Sequence, residues 1–544
     1  MLRRRPTDDR SKPAPPRRSD RPLLYVVMPR WPGQGSHRTF GHRYPPMALY
    51  VLAALARREG WDVFTVDENY QDLPVADPDL VAITVWTMSA PRAYRIADDY
   101  RARGVPVVMG GVHASLLPGE ALRHADSVVA GESEAIFGTV LADAAAGALQ
   151  PIYHGSWGSM DGVPGVCEFR DIIESMPMGR YYPSLTLQTT RGCRFNCDFC
   201  SVIRINGRGS RHLDPDQVVE ELRQRRAIPP WAPFTFCFFL DDDLAADLDY
   251  ASDLFDALIR SELPIHWGVQ ASVGFARHDE LLAAAYKSGC RLVFTGFESV
   301  SRDALREANK KNRPSEFKEL VARYHKHGIL IEGGFVNGFD ADGPEVFAET
   351  AAGADDIDVD LAHFSVLTPY PGTGTFARMY GDGRVVDTNW GRYDYYHAVF
   401  EPARMSREQL EAGNKEAFRR FYSGSSRRAR FRRRLLQHPH LYPLVGGTLA
   451  NYTYSKSYIG DWYDPGVPDY QAPPEELEAL LATSKAEAPY AITTAVQAHA
   501  EASGLPIVGT VGPAPGARLA PVLPGEDEPA VQPVPVTLGR AAAR

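Results

Sequence analysis

At 544 residues the chain is long enough for about two or three domains with ample core. A hydrophobic content of 44% and a charged content of 23% are those of an ordinary globular protein, not of a disordered or fibrous one. A net charge of −9 argues against general nucleic-acid binding, and no apolar run reaches the length of a transmembrane helix.

Residues 1–21 are rich in Arg, Pro, Asp and Ser without periodicity and read as a disordered arm, with no apolar stretch that would make a secretory signal. Residues 22–150 alternate strand and helix. Leu23–Met28 is a short apolar run, and Pro46–Arg58 has helical spacing. Asp62–Val66 and Leu80–Val85 follow as strands, Ala90–Arg103 as a helix, and Val105–Met109 and Ser127–Ala130 as strands ending in Gly110-Gly111 and Gly131-Glu132. This alternation predicts a doubly wound, Rossmann-like α/β domain with a parallel sheet. Ligands on such sheets lie at the carboxyl ends of the strands, where the strand order reverses.

Residues 151–184 read as a linker. Residues 185–370 alternate again, with strands at Leu185–Thr189, Phe234–Leu240, Pro264–Ala271, Arg291–Thr295, Ile329–Val336 and His363–Leu367. Helices lie between them, as at Asp216–Arg226, Tyr250–Arg260 and Ser315–His327. Consecutive βα units of this kind fit a partial (β/α)₆ barrel, whose chemistry belongs at the carboxyl ends of the strands. Residues 371–500 read as a mostly helical accessory region. Residues 501–544, rich in Pro, Ala, Gly and Val, read as a disordered tail.

Directly after the first barrel strand comes Thr190-Arg191-Gly192-Cys193-Arg194-Phe195-Asn196-Cys197-Asp198-Phe199-Cys200. Three thiolates spaced C-x-x-x-C-x-x-C can hold three irons of a 4Fe–4S cluster and leave the fourth open. A zinc knuckle is the competing reading, but a closed zinc site wants a fourth ligand, and the nearest histidine is His212. Cys167, Cys237 and Cys290 are scattered and read as small core residues. A cluster needs a reducing compartment, which places the chain in the cytoplasm.

The window resembles the signature of the radical S-adenosylmethionine (radical SAM) superfamily. The resemblance implies that Cys193, Cys197 and Cys200 ligate the cluster and that the open iron chelates S-adenosylmethionine. Reductive cleavage then yields a 5′-deoxyadenosyl radical. Phe199 matches the residue that lies by the adenine. Asp241-Asp242-Asp243, after the second barrel strand, matches the element at the methionine end of the cofactor, with Asp241 and Asp242 as candidates. By chemistry alone such a run also suits a helix N-terminus. Glu298, in Gly296-Phe297-Glu298-Ser299, matches an acid that helps hold the cofactor, and a capping carboxylate is its plainer reading. Gly334 and Gly338, in Gly333-Gly334-Phe335-Val336-Asn337-Gly338, match a glycine-rich fifth strand. Thr368-Pro369-Tyr370-Pro371-Gly372-Thr373 matches a turn found in one large subgroup.

The first domain resembles the cobalamin-binding domain that precedes many radical SAM cores. Thr84, Thr87, Gly110, Gly111, His113, Gly131 and Glu132 are the residues this implies for cobalamin. The D-x-H-x-x-G motif whose histidine ligates cobalt is absent, and His113 does not fit it. The combination is similar to the methylases of hopanoids and natural products. It implies a methyltransferase acting on an unactivated carbon of a lipid or secondary metabolite, through the deoxyadenosyl radical and methylcobalamin. Ring contraction, cyclisation or carbon–carbon coupling without methyl transfer is the alternative with the same parts, and a non-enzymatic scaffold with degenerate sites is the third.

The resemblance implies a small-molecule or lipid substrate and an external electron donor such as flavodoxin or ferredoxin. The Arg-rich stretch 427–434 offers peripheral contact with anionic lipid, though a solvated helix face is the plainer reading. The substrate's identity is set by loops and by an accessory region that carries no motif.

Overall fold

The computed structural model describes residues 20–31, 46–74, 76–155, 158–175, 185–226, 235–437, 441–457, 469–484 and 491–509. Residues 1–19 and 510–544, within the segments expected to be disordered, lie outside the described residues.

The first sheet is built from β1 (Leu23–Met28), β2 (Asp62–Asp67), β3 (Leu80–Thr84), β4 (Val107–Gly110), β5 (Ser127–Gly131) and β6 (Ile152–Gly155). All six are parallel, in the order β6-β5-β4-β3-β1-β2. Leu23–Met28 is buried along its whole length, as a strand with helices on both faces must be. The chain leaves β1 for β2 on one side and then crosses to β3 on the other. The order therefore reverses between β1 and β3, and their carboxyl ends border the crevice.

The second sheet holds β7 (Leu185–Leu187) and, after the short antiparallel ribbon β8 (Thr190–Arg191) and β9 (Arg211–His212), β10 (Thr235–Phe239), β11 (Ile265–Gln270), β12 (Cys290–Glu298), β13 (Leu330–Asn337) and β14 (Leu361–Val366). Its six strands are parallel and in sequence order, which is the partial barrel. Val293, Phe297, Phe335 and Phe364 pack outward against the helices, and Cys237 and Cys290 are small buried members of the same core. The last strand would leave an open edge. The helix Arg407–Phe421 covers it, started by a capping box between Ser406 and Gln409. Asn414 donates to the carbonyl of Phe364 at 3.1 Å, and Phe418 and Phe421 meet the Phe364 ring edge-on.

Three expectations change here. The stretch 151–184 is not a plain linker. It supplies β6 and the helix Val166–Ser175, which ion-pairs to the helix Met47–Arg58 through Arg57–Asp171 at 2.7 Å and Arg58–Glu168. Ile152 and Tyr153 are the only apolar residues of β6, too short a run to stand out by pattern. The tail expected from 501 begins instead with the end of the helix Ala491–Ser503 and with β15 (Ile507–Gly509), which pairs parallel to β6 as a seventh strand. Backbone pairing at a sheet edge needs little side-chain signal.

The third change concerns the Arg-rich stretch, which is not one solvated face. Arg430 and Arg434 are buried. Arg430 bonds Asp355 at 2.6 Å and lies over the Phe421 ring, while Arg434 meets Asp360 at 2.7 Å. Arg433 pairs with Asp358 at 2.7 Å. Carboxylates at the end of the helix Val346–Asp356 and before β14 draw that half of the strip inward.

The accessory region divides. The helices Arg407–Phe421, Gly424–Gln437 and Leu441–Ser457 stay on the barrel, whereas Phe376, Trp390 and Tyr393 and the helices Pro474–Ser484 and Ala491–Ser503 pack on the first domain. Arg123 ties the first of these two helices through Glu475 at 2.6 Å. Among the described residues, no helix is long and apolar enough to cross a membrane.

Candidate functional site

The cysteine loop leaves the carboxyl end of β7 and is braced on every side. Asp241 is fully buried. It accepts the amides of Thr189 at 2.6 Å and Thr190 at 3.0 Å, together with the Thr189 hydroxyl. Asp242 accepts the Gly192 amide and the Asn206 side chain, both at 2.8 Å. Gly192 turns there with φ +100°, and a Cβ on it would lie 2.4 Å from the Gly209 carbonyl oxygen, so the turn requires glycine. Asn309 donates to the Asn196 carbonyl at 2.8 Å, and Arg378 reaches Asp198 at 2.7 Å. The T-P-Y-P-G-T turn ends in Thr373, which caps the helix Gly374–Gly381 through the Phe376 amide, and Thr375 donates its amide to the Asp198 carbonyl at 3.1 Å.

Cys193, Cys197 and Cys200 form no disulfide. Burial pushes all three thiols up, that of Cys200 to about 12, so ligation has to displace their protons. Among the described residues, no three His, Cys, Asp or Glu side chains converge on a single metal ion. A cubane takes one thiolate per iron and needs no such convergence.

Asp241 and Asp242, the two acids singled out for S-adenosylmethionine, are occupied in bracing the loop. Asp243 is the one left for a ligand. Its Oδ1 accepts the amides of Ala245 at 3.1 Å and Ser272 at 2.8 Å, and its Oδ2 is buried without a partner. Burial pushes its carboxyl up, opposed by hydrogen bonding from Ser272 and by the charges of Arg194 and Lys310. Glu298 stands at φ +66°, a strained backbone for an acid, and accepts Lys310 Nζ at 2.9 Å. Burial acts to lower the Lys310 ammonium, but Glu298 and the thiols of Cys197 and Cys200 hold it above its ordinary range.

Gly334 lies opposite Gly296 on the neighbouring strand, where a Cβ would come within 2.9 Å of the Phe294 ring. Gly338 has a different task. With φ +110° it turns against Leu410 of the covering helix and donates its amide to Asp342 at 2.9 Å, so packing rather than a ligand requires the glycine. Phe199 packs on the barrel core, its ring centroid 6.4 Å from that of Phe339.

In the first domain, Trp31 and Trp86 follow β1 and β3, the two strands that flank the reversal of strand order. Their ring centroids are 5.7 Å apart, and Trp86 is 45% exposed. An exposed indole on an otherwise buried strand end suits a large flat ligand such as a corrin. The glycines here let strand ends nest together: a Cβ on Gly111 would lie 2.9 Å from the Val85 amide nitrogen, and one on Gly131 2.4 Å from the Gly155 carbonyl oxygen. A Cβ on Gly110 would sit 3.3 Å from the Val129 carbonyl oxygen. Thr84 and Thr87 are buried.

His113 does not face the ligand side. It is fully buried, 3.0 Å from the Tyr94 hydroxyl and edge-on to Trp390, and burial lowers its pKa to about 3. The turn at Gly111, with φ +93°, starts the helix Val112–Leu116 and carries the imidazole into the core. Glu132 is likewise engaged. It accepts Arg211 at 2.8 Å and lies 3.3 Å from Arg191, which also meets Glu134 at 2.6 Å. These ion pairs join the first domain to the ribbon on either side of the cysteine loop.

Sequence reasoning missed Asp243, Lys310 and the role of Arg191 and Arg211, whereas the run Ile83-Thr84-Val85-Trp86-Thr87 does place an aromatic at a strand end of the first domain. Asp243 could not be told from its two neighbours, and Lys310 sits outside any motif.

Two family models match the chain, the radical SAM superfamily over residues 187–351 and the B12 binding domain over residues 36–141. The bacteriochlorophyllide d C-12(1)-methyltransferase of Chlorobaculum tepidum is 33% identical over 387 residues, covering 70% of this chain and 83% of that protein. The hopanoid C-2 methylase of Rhodopseudomonas palustris is 25% identical over 388 residues, covering 67% and 71%. Among solved structures, the radical S-adenosylmethionine methyltransferase TsrM from Kitasatospora setae, with cobalamin and a [4Fe-4S] cluster, aligns with a TM-score of 0.52 at 16% identity, over 88% of this chain and all of that one.

Proposed function

This chain belongs to the cobalamin-dependent radical SAM methyltransferases, and from that premise we propose that it methylates an unactivated carbon of a lipid or a secondary metabolite. Its cofactors are a 4Fe–4S cluster, S-adenosylmethionine and cobalamin. When bound, the cluster supplies the electron that cleaves S-adenosylmethionine, and the corrinoid supplies the methyl carrier. Cys193, Cys197 and Cys200 hold the cluster. Asp243 Oδ2 would accept a hydrogen bond from the amino group of the methionine moiety, and the Glu298–Lys310 pair would border the same space. Trp86 would offer its exposed indole to the corrin ring. An external one-electron donor such as flavodoxin or ferredoxin serves the site in a reducing cytoplasm.

The observation that carries this reading is the set of ion pairs from Arg191 and Arg211 to Glu132 and Glu134, which tie the cysteine loop to the strand ends of the B12-binding fold. A substrate carbon held between the two domains can then give up a hydrogen on one side and receive a methyl group from the other. Relatives named for a bacteriochlorophyllide and a hopanoid support a large, largely apolar acceptor.

Corrinoid loading tests the first-domain assignments. Protein purified with hydroxocobalamin is expected to retain about one corrinoid per chain, with a spectrum that lacks imidazole ligation, because His113 is sealed in the core. Trp86→Ala is expected to weaken that retention by about tenfold. No uptake under conditions that rebuild the cluster, or an imidazole-ligated spectrum, contradicts the reading.

A further inference from the structure

Five of the eight exposed large apolar side chains among the described residues fall on two consecutive helices, Gly424–Gln437 and Leu441–Ser457. They are Phe431, Leu435, Val445, Leu449 and Tyr452, with Leu435 57% exposed and Leu449 65%. The spacing is that of helix faces. Arg428, Phe431, Arg432 and Leu435 fall on one stripe of the first helix, and Val445, Leu449 and Tyr452 on one stripe of the second. Opposite the first stripe, Arg430 and Arg434 are buried against the barrel's carboxylates. The helix is thus anchored by one set of arginines and presents the other outward together with apolar residues.

The charge is one-signed. From Gly424 to Ser457 the sequence has six arginines, one lysine and no carboxylate, in a chain whose net charge is −9. Arg428 and Arg432 are exposed. A nucleic acid would use the arginines but leave the Leu and Val side chains in water. An anionic bilayer uses both, since aliphatic side chains enter the headgroup–acyl boundary while guanidinium groups reach the lipid phosphates.

We propose that the outer face of these two helices is a docking surface for an anionic lipid bilayer. It holds the enzyme at the membrane surface, and it does not depend on which substrate the active site methylates. Neither helix contributes a residue placed in the cofactor sites.

The test is sedimentation of the reconstituted full chain with vesicles of phosphatidylcholine alone or mixed with phosphatidylglycerol. Binding is expected only to the mixed vesicles and is expected to weaken as salt rises. The double variant R428Q/R432Q should bind at least about tenfold more weakly. L435S/L449S should also lose binding, even at low salt. Both variants should keep the wild-type iron content and 5′-deoxyadenosine formation in vesicle-free buffer, which separates loss of docking from loss of fold or catalysis. Should one variant not fold, the other and the lipid and salt dependence of the wild type still decide. Absence of binding to anionic vesicles, or equal binding by wild type and variants, overturns the proposal. So does a concentration-dependent dimer abolished by L435S/L449S, which would assign the face to a second copy, or a preference for an acidic protein or a nucleic acid over vesicles.

Discussion

Replacing Cys193, Cys197 and Cys200 together with Ala is expected to abolish the brown chromophore and all 5′-deoxyadenosine formation. The wild type should carry roughly four irons and four sulfides after anaerobic reconstitution, and the variant close to none. The effect is complete because the loop has no other thiol, Asp241 and Asp242 are bonded to loop amides, Asp198 is bonded to Arg378, and Asp243 alone cannot replace three thiolates. Cys290→Ala and Cys237→Ala remove thiols buried in the barrel core and should leave the iron content unchanged. A full cluster in the triple variant would remove the foundation of the account.

The Asp run allows a sharper separation. Asp243→Asn keeps the shape and an acceptor for the amides of Ala245 and Ser272 but loses the charge at the unpartnered oxygen. The cluster should assemble normally, while S-adenosylmethionine binding falls by about tenfold to a hundredfold, as expected for losing a charge-assisted bond in a buried site. The readout is the titration that perturbs the electron paramagnetic resonance of the reduced cluster. Asp241→Ala should do the reverse. It leaves the buried amides of Thr189 and Thr190 without an acceptor, and cluster content should drop with the loop's order. Unchanged cofactor affinity in Asp243→Asn would return the role to another residue.

Both sheets were legible because parallel strands buried on two faces are apolar runs set between amphipathic helices, as at Leu23–Met28 and Leu330–Asn337. The cysteine window was legible because its spacing leaves few other chemistries. What failed was local. Three adjacent aspartates look alike in sequence, but at a strand end their side chains diverge, so Asp241 and Asp242 brace the loop while Asp243 turns to the space beside the thiols. His113 has a polar ring after a Gly-Gly turn, yet the turn's positive φ directs it inward to Tyr94 and Trp390. Glu132 and Arg211 are 79 residues apart, and nothing in sequence announces their bond. β15 escaped because three residues pairing at an edge carry almost no pattern. The Arg-rich stretch misled because its charges are divided between the barrel's carboxylates and the outer face, a division made by helical phase.

The central claim is that one chain combines the two cofactor sites into a single methyl transfer. Turnover of the reconstituted protein with methyl-labelled S-adenosylmethionine and candidate lipid or secondary-metabolite acceptors tests it directly. The account predicts S-adenosylhomocysteine and 5′-deoxyadenosine in about equal amounts, with the label in the product, because each methyl transferred requires one molecule as donor and one as radical source. Deoxyadenosine formed with the acceptor modified but unlabelled would contradict it and favour rearrangement or cyclisation by the same fold.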